Sequence, residues 1–288
     1  MKIIHSIEGI RAVRGGYGAQ SVGLVATMGY LHEGHLSLVR RAKADNDRTA
    51  ATIFVNPKQF GPSEDLSRYP RDLERDLALL HGEGVDLVFV PDDATIYPAD
   101  FQTVVDVTRL TQTLEGARRA GHFAGVTTVV AKLFNIIQPT RAYFGQKDAQ
   151  QAAVIRQMVR DLNFPLEIII GPTVREPDGL ALSSRNKYLD AEQRPAAKAL
   201  NRALRAAEAL WNDGERDGAA LRAAMMATLA AEPLARVDYV SAADPTTLVE
   251  YKGDIPPGGG VLLSMAVFFG QTRLIDNFLL ADEEANLP

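Results

Sequence analysis

The chain has 288 residues, 46% hydrophobic and 23% charged, which is enough for one large or two ordinary globular domains. The formal net charge of −5 argues against a surface that coats nucleic acid, and the absence of cysteine excludes disulfides and thiolate metal sites. Residues 1–16 lack the apolar stretch of a signal peptide, and the longest apolar run, Val261–Phe269, is too short to span a bilayer. We therefore expect a cytoplasmic protein that binds neither nucleic acid nor membrane.

The first predicted elements are a short strand and a helix before Gly15, followed by a buried strand at Val22–Ala26. This strand leads into a glycine-containing loop and then into a helical pattern. Such a junction is a phosphate site in parallel α/β sheets, because the first N–H groups of the helix point at the loop. His32 and His35 at its start are spaced to lie on one face of the turn.

Three interpretations of these two histidines compete: zinc ligands, ordinary polar loop residues and paired contacts to phosphate. The segment His32–His35 is one residue short of the H-E-x-x-H spacing of zinc proteases. The other histidines, at positions 5, 81 and 122, lie in unrelated contexts, and no cysteine is available as a ligand. Phosphate contact is the favoured interpretation, and no protein-held metal site is predicted.

The run Thr27–Leu36, TMGYLHEGHL, resembles the signature of the pantothenate synthetase family, in the nucleotidylyltransferase superfamily. In that superfamily a His-x-Gly-His element contacts the phosphates of ATP. The sequence departs from the family at Ala26, where proline usually precedes the threonine. The resemblance implies ATP contacts from Met28, Gly29, Tyr30, Leu31, His32, Glu33, Gly34 and His35.

A second apolar run, Ala50–Val55, predicts a strand that must end in the proline-containing segment Asn56–Pro62. Ligands of open α/β sheets bind at such carboxyl ends. Gln59 can both donate and accept, which suits a hydroxyl or a carboxylate, although a loop glutamine is more often only solvated. The segment from Phe54 through Arg71 resembles a second family signature, and this resemblance implies that Gln59 binds pantoate.

The next elements complete a β-α-β-α-β order. Asp72–Gly84 predicts a solvated amphipathic helix, Val85–Val90 a third buried strand, and Gln102–Val107 a further strand by its alternation. This order favours a doubly wound parallel sheet.

A loop rich in glycine and arginine, Glu115–Gly125, precedes a long predicted helix at Val126–Ile137. It resembles a third family signature, although Ala120 stands where proline is usual, which affects the expected rigidity of the loop. The loop carries three further polar candidates that either face an anion or form a charged surface, and both interpretations stay open: Arg118, Arg119 and His122.

The predicted strand Arg141–Phe144 runs into a second glycine-containing junction and a helix that reaches Leu162. Lys147 can reach a phosphate as a point charge, whereas Asp148 is also well placed to cap the helix. The junction resembles the family's Gly-x-Lys-Asp-x-x-Gln element. The resemblance implies that Gln151 binds pantoate and that four residues bind ATP: Gly145, Gln146, Lys147 and Asp148.

The run Leu166–Ile170 predicts a central strand, and the segment after it, Pro172–Leu189, contains two serines followed by an arginine. These three side chains form either an anion clamp or the start of a helix, and the stretch alone does not decide. The segment closely matches the family pattern, and its Ser-Ser-Arg resembles the superfamily's mobile phosphate-binding loop. The resemblance implies ATP contacts from Val174, Leu182, Ser183, Ser184 and Arg185.

Beyond residue 190, alanine-rich helices are predicted at 191–213 and 217–232 and strands at 236–242, 261–269 and 273–278. No side chain in this part of the chain has evident chemistry. We predict a Rossmann-like doubly wound parallel sheet domain at 1–175, which binds ATP and pantoate, and a smaller α+β C-terminal lid domain at 176–288.

The five matching blocks imply the reaction of the resembled family. In it, ATP drives condensation of (R)-pantoate with β-alanine to pantothenate through a pantoyl adenylate, releasing AMP and pyrophosphate, with Mg²⁺ on ATP and a homodimer as the assembly. The predicted catalytic residues are His32, His35, Lys147 and Arg185. Two alternatives are a nucleotidyl transferase of the same superfamily, against which Gln59 and Gln151 argue, and a non-catalytic nucleotide-binding regulator. The presence of the lysine, the arginine and both histidines argues against the regulator.

Overall fold

The computed structural model describes residues 1–62 and 64–282, which divide into two compact units. The first unit comprises Met1–Gln146 and Val154–Pro172, and the second comprises Lys147–Ala153 and the chain from Thr173 onward. The predicted combination of a parallel sheet with helices and a smaller α+β part is confirmed. The predicted boundary at residue 175 and the lid role stay predictions, and residues 283–288 of the predicted lid lie outside the described chain.

Six parallel strands form the sheet of the first unit, in the spatial order β1-β4-β3-β2-β5-β6. They are β1 (Lys2–Ile4), β2 (Val22–Thr27), β3 (Arg48–Ile53), β4 (Leu87–Phe89), β5 (Arg141–Gly145) and β6 (Glu167–Gly171). The central strands are buried along their length, as expected for a parallel sheet whose two faces are covered by helices. The direction of winding reverses between β2 and β5, which pair in parallel. This switch point is where open α/β sheets bind their ligands.

The helices around the parallel sheet are α1 (Ile7–Gly15), α2 (Glu33–Asp45), α3 (Leu73–Gly82), α4 (Asp93–Ile96), α5 (Leu114–Arg118), α6 (His122–Ile137) and α7 (Ala149–Asp161). The apolar residues of α6 surround the helix, so it is buried on nearly all sides and forms much of the larger core. It begins at His122, four residues before the predicted start, and α5 occupies part of the predicted loop.

One strand prediction in the first unit is wrong, and a second is wrong only in its place in the sheet. Gln102–Val107 forms no strand; Val105 N instead donates to Thr128 Oγ1 at 3.0 Å, and its carbonyl accepts from the Thr127 hydroxyl on α6. Alternation of apolar and polar residues shows that one face of a segment is buried. In this segment the buried face packs against helix α6 and not within a sheet. The strand predicted at Leu166–Ile170 exists as β6, but it lies at the edge of the sheet and not in the centre.

The second unit packs three helices against a three-stranded antiparallel sheet of order β7-β8-β9. Its elements are α8 (Gln193–Ala196), α9 (Ala199–Asn212), α10 (Gly218–Ala230), β7 (Ala235–Ala243), β8 (Gly260–Phe269) and β9 (Thr272–Ala281). The three predicted strands are confirmed, whereas the first predicted helix is divided into α8 and α9. The buried core includes Leu204, Trp211 and Met265. Across residues 1–62 and 64–282, no helix has the length and apolar character that a bilayer crossing requires.

Candidate active site

The loop after β2 lies at the carboxyl edge of the switch point. The Thr27 hydroxyl donates to Thr52 O at 2.7 Å and accepts from Gly29 N at 3.1 Å, which ties the start of the loop to β3. Gly29 and Tyr30 then have φ values of 81° and 51°, so two successive left-handed residues turn the chain toward α2. A Cβ on Gly29 would lie 3.0 Å from Asp76 Oδ2, so glycine also permits a close approach to α3.

A buried carboxylate that the sequence analysis missed supports this loop. Asp76 on α3 is 1% exposed; its Oδ2 accepts from Tyr30 N at 2.6 Å and its Oδ1 from Leu31 N at 2.7 Å. Burial raises the pKa of Asp76, and the two backbone hydrogen bonds oppose that change. The prediction of a solvated helix is therefore wrong at this position. Its spacing in the sequence could have indicated burial, because Asp76 lies one helical turn before Leu80 and therefore on the same buried face of α3.

His32 and His35 lie together at the first turn of α2, as their spacing predicts. Gly34 N donates to His32 Nδ1 at 3.2 Å, His32 N donates to His35 Nδ1 at 3.3 Å, and the ring centroids are 4.1 Å apart. Since each Nδ1 accepts a hydrogen bond, each neutral ring carries its proton on Nε2. A Cβ on Gly34 would lie 2.9 Å from His32 Cε1, so glycine makes room for the first ring. The pair can thus present N–H donors to an anion from the start of a helix.

The end of β3 places Gln59 beside this loop. Gln59 Nε2 lies 3.2 Å from Met28 Sδ, and its Oε1 accepts from Asn56 Nδ2 at 3.0 Å. Asn56 is 1% exposed; it also donates to Gly125 O at 3.1 Å and accepts from the Tyr97 hydroxyl at 2.8 Å. The structure therefore brings Gln59 to the edge predicted for it. Asn56 was missed, although its position before a proline at a strand end was visible.

Two of the three open candidates in the glycine- and arginine-rich loop hold Gln59 from the other side. His122 Nδ1 lies 2.8 Å from Gln59 O, and its Nε2 lies 2.9 Å from Arg119 Nη1. A carbonyl only accepts and a guanidinium only donates, so the neutral ring carries its proton on Nδ1. Burial and the Arg119 charge lower the pKa of His122 to about 4. Arg118 is exposed, and its role stays open.

Arg119 is fixed in turn by Glu64. Its Nε and Nη2 each lie 2.8 Å from a different carboxylate oxygen of Glu64, which is a bidentate pair. Burial would raise the pKa of Glu64, but the hydrogen bonds and charge of Arg119 outweigh it and lower the value. The chain of contacts from Glu64 through His122 thus ends on the backbone of Gln59. The contacts of Arg119 and His122 within the protein account for their presence in this loop, without a bound anion or an exposed charged surface.

The second unit contains the remaining predicted phosphate contacts. Lys147 and Asp148 lie in one short turn, in which Lys147 Nζ is 3.7 Å from Asp148 Oδ1. Ser183 Oγ accepts from Arg185 N at 3.2 Å and caps a short turn at Ser184–Tyr188, which corresponds to the helix-start alternative for its role. Leu182 N donates to Val174 O at 3.0 Å, and Arg175 pairs with Ala181 in an antiparallel bridge. The two predicted ATP contacts, Val174 and Leu182, therefore lie opposite each other in a narrow two-stranded ribbon, residues 174–182. Gln151, a predicted pantoate contact, belongs to the same unit.

The predicted site residues therefore form two sets. Four of them come together in the first unit: Met28, His32, His35 and Gln59. Gly145, the last residue of β5, and Gln146 after it belong to the same unit. Lys147, Gln151 and the Ser-Ser-Arg turn belong to the second unit. That both sets surround one nucleotide stays a prediction. In the described part of the chain, no three His, Asp or Glu side chains converge as metal ligands.

Comparison with known proteins gives matches along nearly the whole chain. A family model described as pantoate-beta-alanine ligase matches residues 2–279. Pantothenate synthetase from Chloroflexus aurantiacus is 59% identical over 98% of this chain and 99% of its own length. The enzyme of the same name from Roseiflexus castenholzii is 61% identical over 97% of this chain and 99% of its own length.

Solved structures agree with the sequence matches. Pantothenate synthetase from Thermus thermophilus superimposes with a TM-score of 0.91 at 49% identity, covering 96% of this chain and 99% of that one. Pantoate-beta-alanine ligase from Francisella tularensis, described as complexed with beta-gamma ATP and beta-alanine, gives a TM-score of 0.79 at 34% identity, with 97% of both chains covered. The chain belongs to the pantoate-beta-alanine ligase family.

Proposed function

We propose that the protein is a pantothenate synthetase, an ATP-dependent ligase that condenses pantoate with β-alanine and releases AMP and pyrophosphate. The observation that carries the proposal is the 59% identity to a pantothenate synthetase over 98% of this chain. The arrangement of the first unit supports it, because the loop that leads into the helix start with two imidazoles also contacts Gln59, which is held at the carboxyl end of the neighbouring strand β3. An anionic nucleotide and a small hydroxy acid suit these groups.

The reaction explains why such groups are needed. A carboxylate is a poor electrophile because its leaving group would be oxide. A pantoate carboxylate oxygen therefore attacks the α-phosphorus of ATP, the bond from that phosphorus to the bridging oxygen breaks, and pyrophosphate leaves. The neutral amine of β-alanine then attacks the acyl carbon, the bond from that carbon to the phosphate oxygen breaks so that AMP leaves, and the nitrogen releases one proton to solvent. Both reactants of the first step are anionic, so the site must supply N–H donors and positive charge where the transition state gathers negative charge.

Each predicted residue has a part in this scheme. His35 and His32 donate from Nε2 to phosphate oxygens, a role supported by the backbone N–H groups that occupy both Nδ1 atoms. Lys147 and Arg185 supply positive charge as phosphate is transferred. Gln59 and Gln151 orient the hydroxyls and carboxylate of pantoate, and the fixed position of Gln59 favours this because orientation lowers the entropic part of the barrier.

Mg²⁺ is implied by the family and fits this site as an ion carried by ATP. The described residues form no cluster of three ligating side chains, so phosphate oxygens and water would supply most of its ligands. When bound there, Mg²⁺ neutralises phosphate charge and helps pyrophosphate to leave.

The lid role of residues 176–288, the homodimer and the cytoplasmic location belong to the same proposal and rest on the resemblance. Analytical ultracentrifugation tests the dimer. Small-angle scattering with and without ATP and pantoate tests closure, since a lid that closes makes the protein more compact.

The deciding experiment is mass detection of pantothenate formed from ATP, pantoate, β-alanine and Mg²⁺. His35→Ala is expected to lose about 10²–10³ in rate, or about 3–4 kcal/mol of transition-state stabilisation. His35→Asn sharpens the test, because an amide oxygen can still accept from His32 N while the Nε2 donor is gone. His81→Ala is the matched control, since His81 is exposed at the end of α3.

The outcomes separate the alternatives. Pantothenate formation that requires both substrates supports the ligase. A stable adenylylated product that forms at the same rate with and without β-alanine would indicate a nucleotidyl transferase. ATP binding without turnover would indicate a regulator. Near-normal turnover of both His35 variants would remove this residue from the mechanism while leaving the ligase assignment intact.

A further inference from the structure

The last strand, β9, carries two consecutive polar side chains that are almost fully buried. Asp276 is 1% exposed and Asn277 is 4% exposed. Burying a polar group costs free energy unless hydrogen bonds satisfy it. We therefore expect both side chains to make specific hydrogen bonds inside the second unit. Each one bonds to a segment of the second unit that carries predicted phosphate contacts.

Asn277 holds the backbone of the lysine turn. Its Nδ2 donates to Lys147 O at 2.8 Å. The two residues are 130 positions apart in the chain, so no local element imposes this contact. The bond restrains the peptide group that follows the Lys147 Cα, which is the base from which the half-buried side chain extends.

Asp276 holds the ribbon that leads to the Ser-Ser-Arg turn. Its two carboxylate oxygens accept from Arg175 Nη1 at 2.7 Å and Nη2 at 2.8 Å, and Arg175 also donates to Gly179 O at 3.0 Å. Asn277 N donates to Asp276 Oδ1 at 2.8 Å, so the Asp276 carboxylate also holds the backbone of Asn277. The bidentate pair fixes both position and orientation of the ribbon from which Ser183 follows.

We infer that Asn277 is a positioning residue for Lys147, and that the Asp276–Arg175 pair keeps β9 in place for this contact. The inference rests on the proposed function, in which the Lys147 ammonium binds a phosphate of ATP. A lysine side chain is long and flexible, so the placement of its ammonium depends on where its backbone is held. A misplacement of about 1 Å costs about a hundredfold in rate when geometry is critical.

A double-mutant cycle distinguishes positioning from a general structural role. The variants are Asn277→Ala, Lys147→Ala and the double variant, and the readout is kcat/KM for ATP in pantoate-dependent exchange of pyrophosphate into ATP. Asn277→Ala is expected to lower kcat/KM about 10- to 100-fold in the wild-type background, where Lys147 is present to be misplaced. In the Lys147→Ala background the same substitution is expected to lower it less than about twofold, because residues that act through each other are not additive.

Ser264→Ala is the matched control. Ser264 pairs with Asn277 in the β8–β9 register, is 5% exposed, and its hydroxyl has no hydrogen-bond partner among the described residues. Removing this hydroxyl changes a buried polar group beside Asn277 and takes away no partner of the Asn277–Lys147 hydrogen bond. We expect kcat/KM within about twofold of the wild type, as for residues that share no partner with the site.

Each possible result of the cycle either supports or overturns the positioning role of Asn277. Equal losses from Asn277→Ala in both backgrounds, or a comparable loss in Ser264→Ala, would show a general structural effect and overturn the inference. Near-wild-type exchange in Lys147→Ala would instead overturn the proposed role of Lys147. If circular dichroism shows that Asn277→Ala is unfolded, Asn277→Leu fills similar space without the donor and takes its place in the cycle.

Discussion

Acid is expected to destabilise the first unit through one buried histidine. His122 donates from Nδ1 to Gln59 O and accepts at Nε2 from Arg119, so a second ring proton would face a guanidinium N–H. Burial and the Arg119 charge lower its pKa to about 4 from an ordinary value of 6.5. Between these two values the unfolded chain is protonated at this residue and the folded one is not. Stability from this group is therefore full above pH 6.5 and is lost as pH falls toward 4.

The size of this loss follows from the same two values. The gap between 6.5 and about 4 converts to about 3 kcal/mol, at about 1.4 kcal/mol for each pH unit. His122 is 8% exposed, so solvent screening removes little of this energy. A domain is typically stable by about 5–15 kcal/mol, which makes this single group a substantial part of the total.

The measurement compares wild type with His122→Asn by urea unfolding at a series of pH values from about 7 to about 4. Asparagine keeps an amide donor near the position of Nδ1, can still reach Gln59 O and does not titrate. The other titrating groups contribute to both proteins and cancel in the difference. The wild type is expected to lose about 3 kcal/mol more than the variant across this range. A difference between the two proteins that is constant with pH would refute the account of a neutral, buried ring.

Three further predictions concern side chains that support the site. Asp76→Asn replaces one of two oxygens that accept backbone N–H groups by a donor, so we expect a loss of about 1–3 kcal/mol in urea unfolding and reduced turnover; wild-type values for both would contradict this. Gly125→Ala places a Cβ 2.3 Å from Lys58 O, so thermal unfolding should show a cost of about 1–3 kcal/mol and the KM for pantoate should rise; an unchanged KM would argue that this turn does not serve pantoate. Asp276→Ala leaves Arg175 uncompensated and should destabilise the second unit by about 3–5 kcal/mol, whereas a cost below about 1 kcal/mol would show that water replaces the pair.

Parallel strands and the loops at their ends were predictable because the relevant signals are local. A buried strand, a glycine and a helix start lie within one short stretch at Val22–His35, and the structure reproduces that order as β2, loop and α2. The same is true of β5 and the turn after it. Family motifs then supplied the expected ligands, which local patterns alone left open.

The two errors about strands have a common physical origin. A sequence pattern shows which residues are buried, but it does not show which helix or strand packs against them. Gln102–Val107 alternates because one face is buried, yet threonine hydroxyls on α6 take the backbone hydrogen bonds that a sheet would have taken. The run in β6 is apolar like a central strand, yet it has a neighbour on one side only. Which neighbour covers a strand depends on the rest of the chain.

The supporting residues escaped prediction because their partners are distant in sequence and are mostly backbone atoms. Asp76 serves amides 45 and 46 positions away, His122 a carbonyl 63 positions away, and Asn277 a carbonyl 130 positions away. A backbone group has no residue identity, so no motif records the contact. Yet these bonds decide how well a histidine, a glutamine and a lysine are oriented, and orientation is a large part of the barrier for a reaction between two anions. The side chains that touch substrate were thus visible in motifs, whereas the residues that hold them required the folded chain.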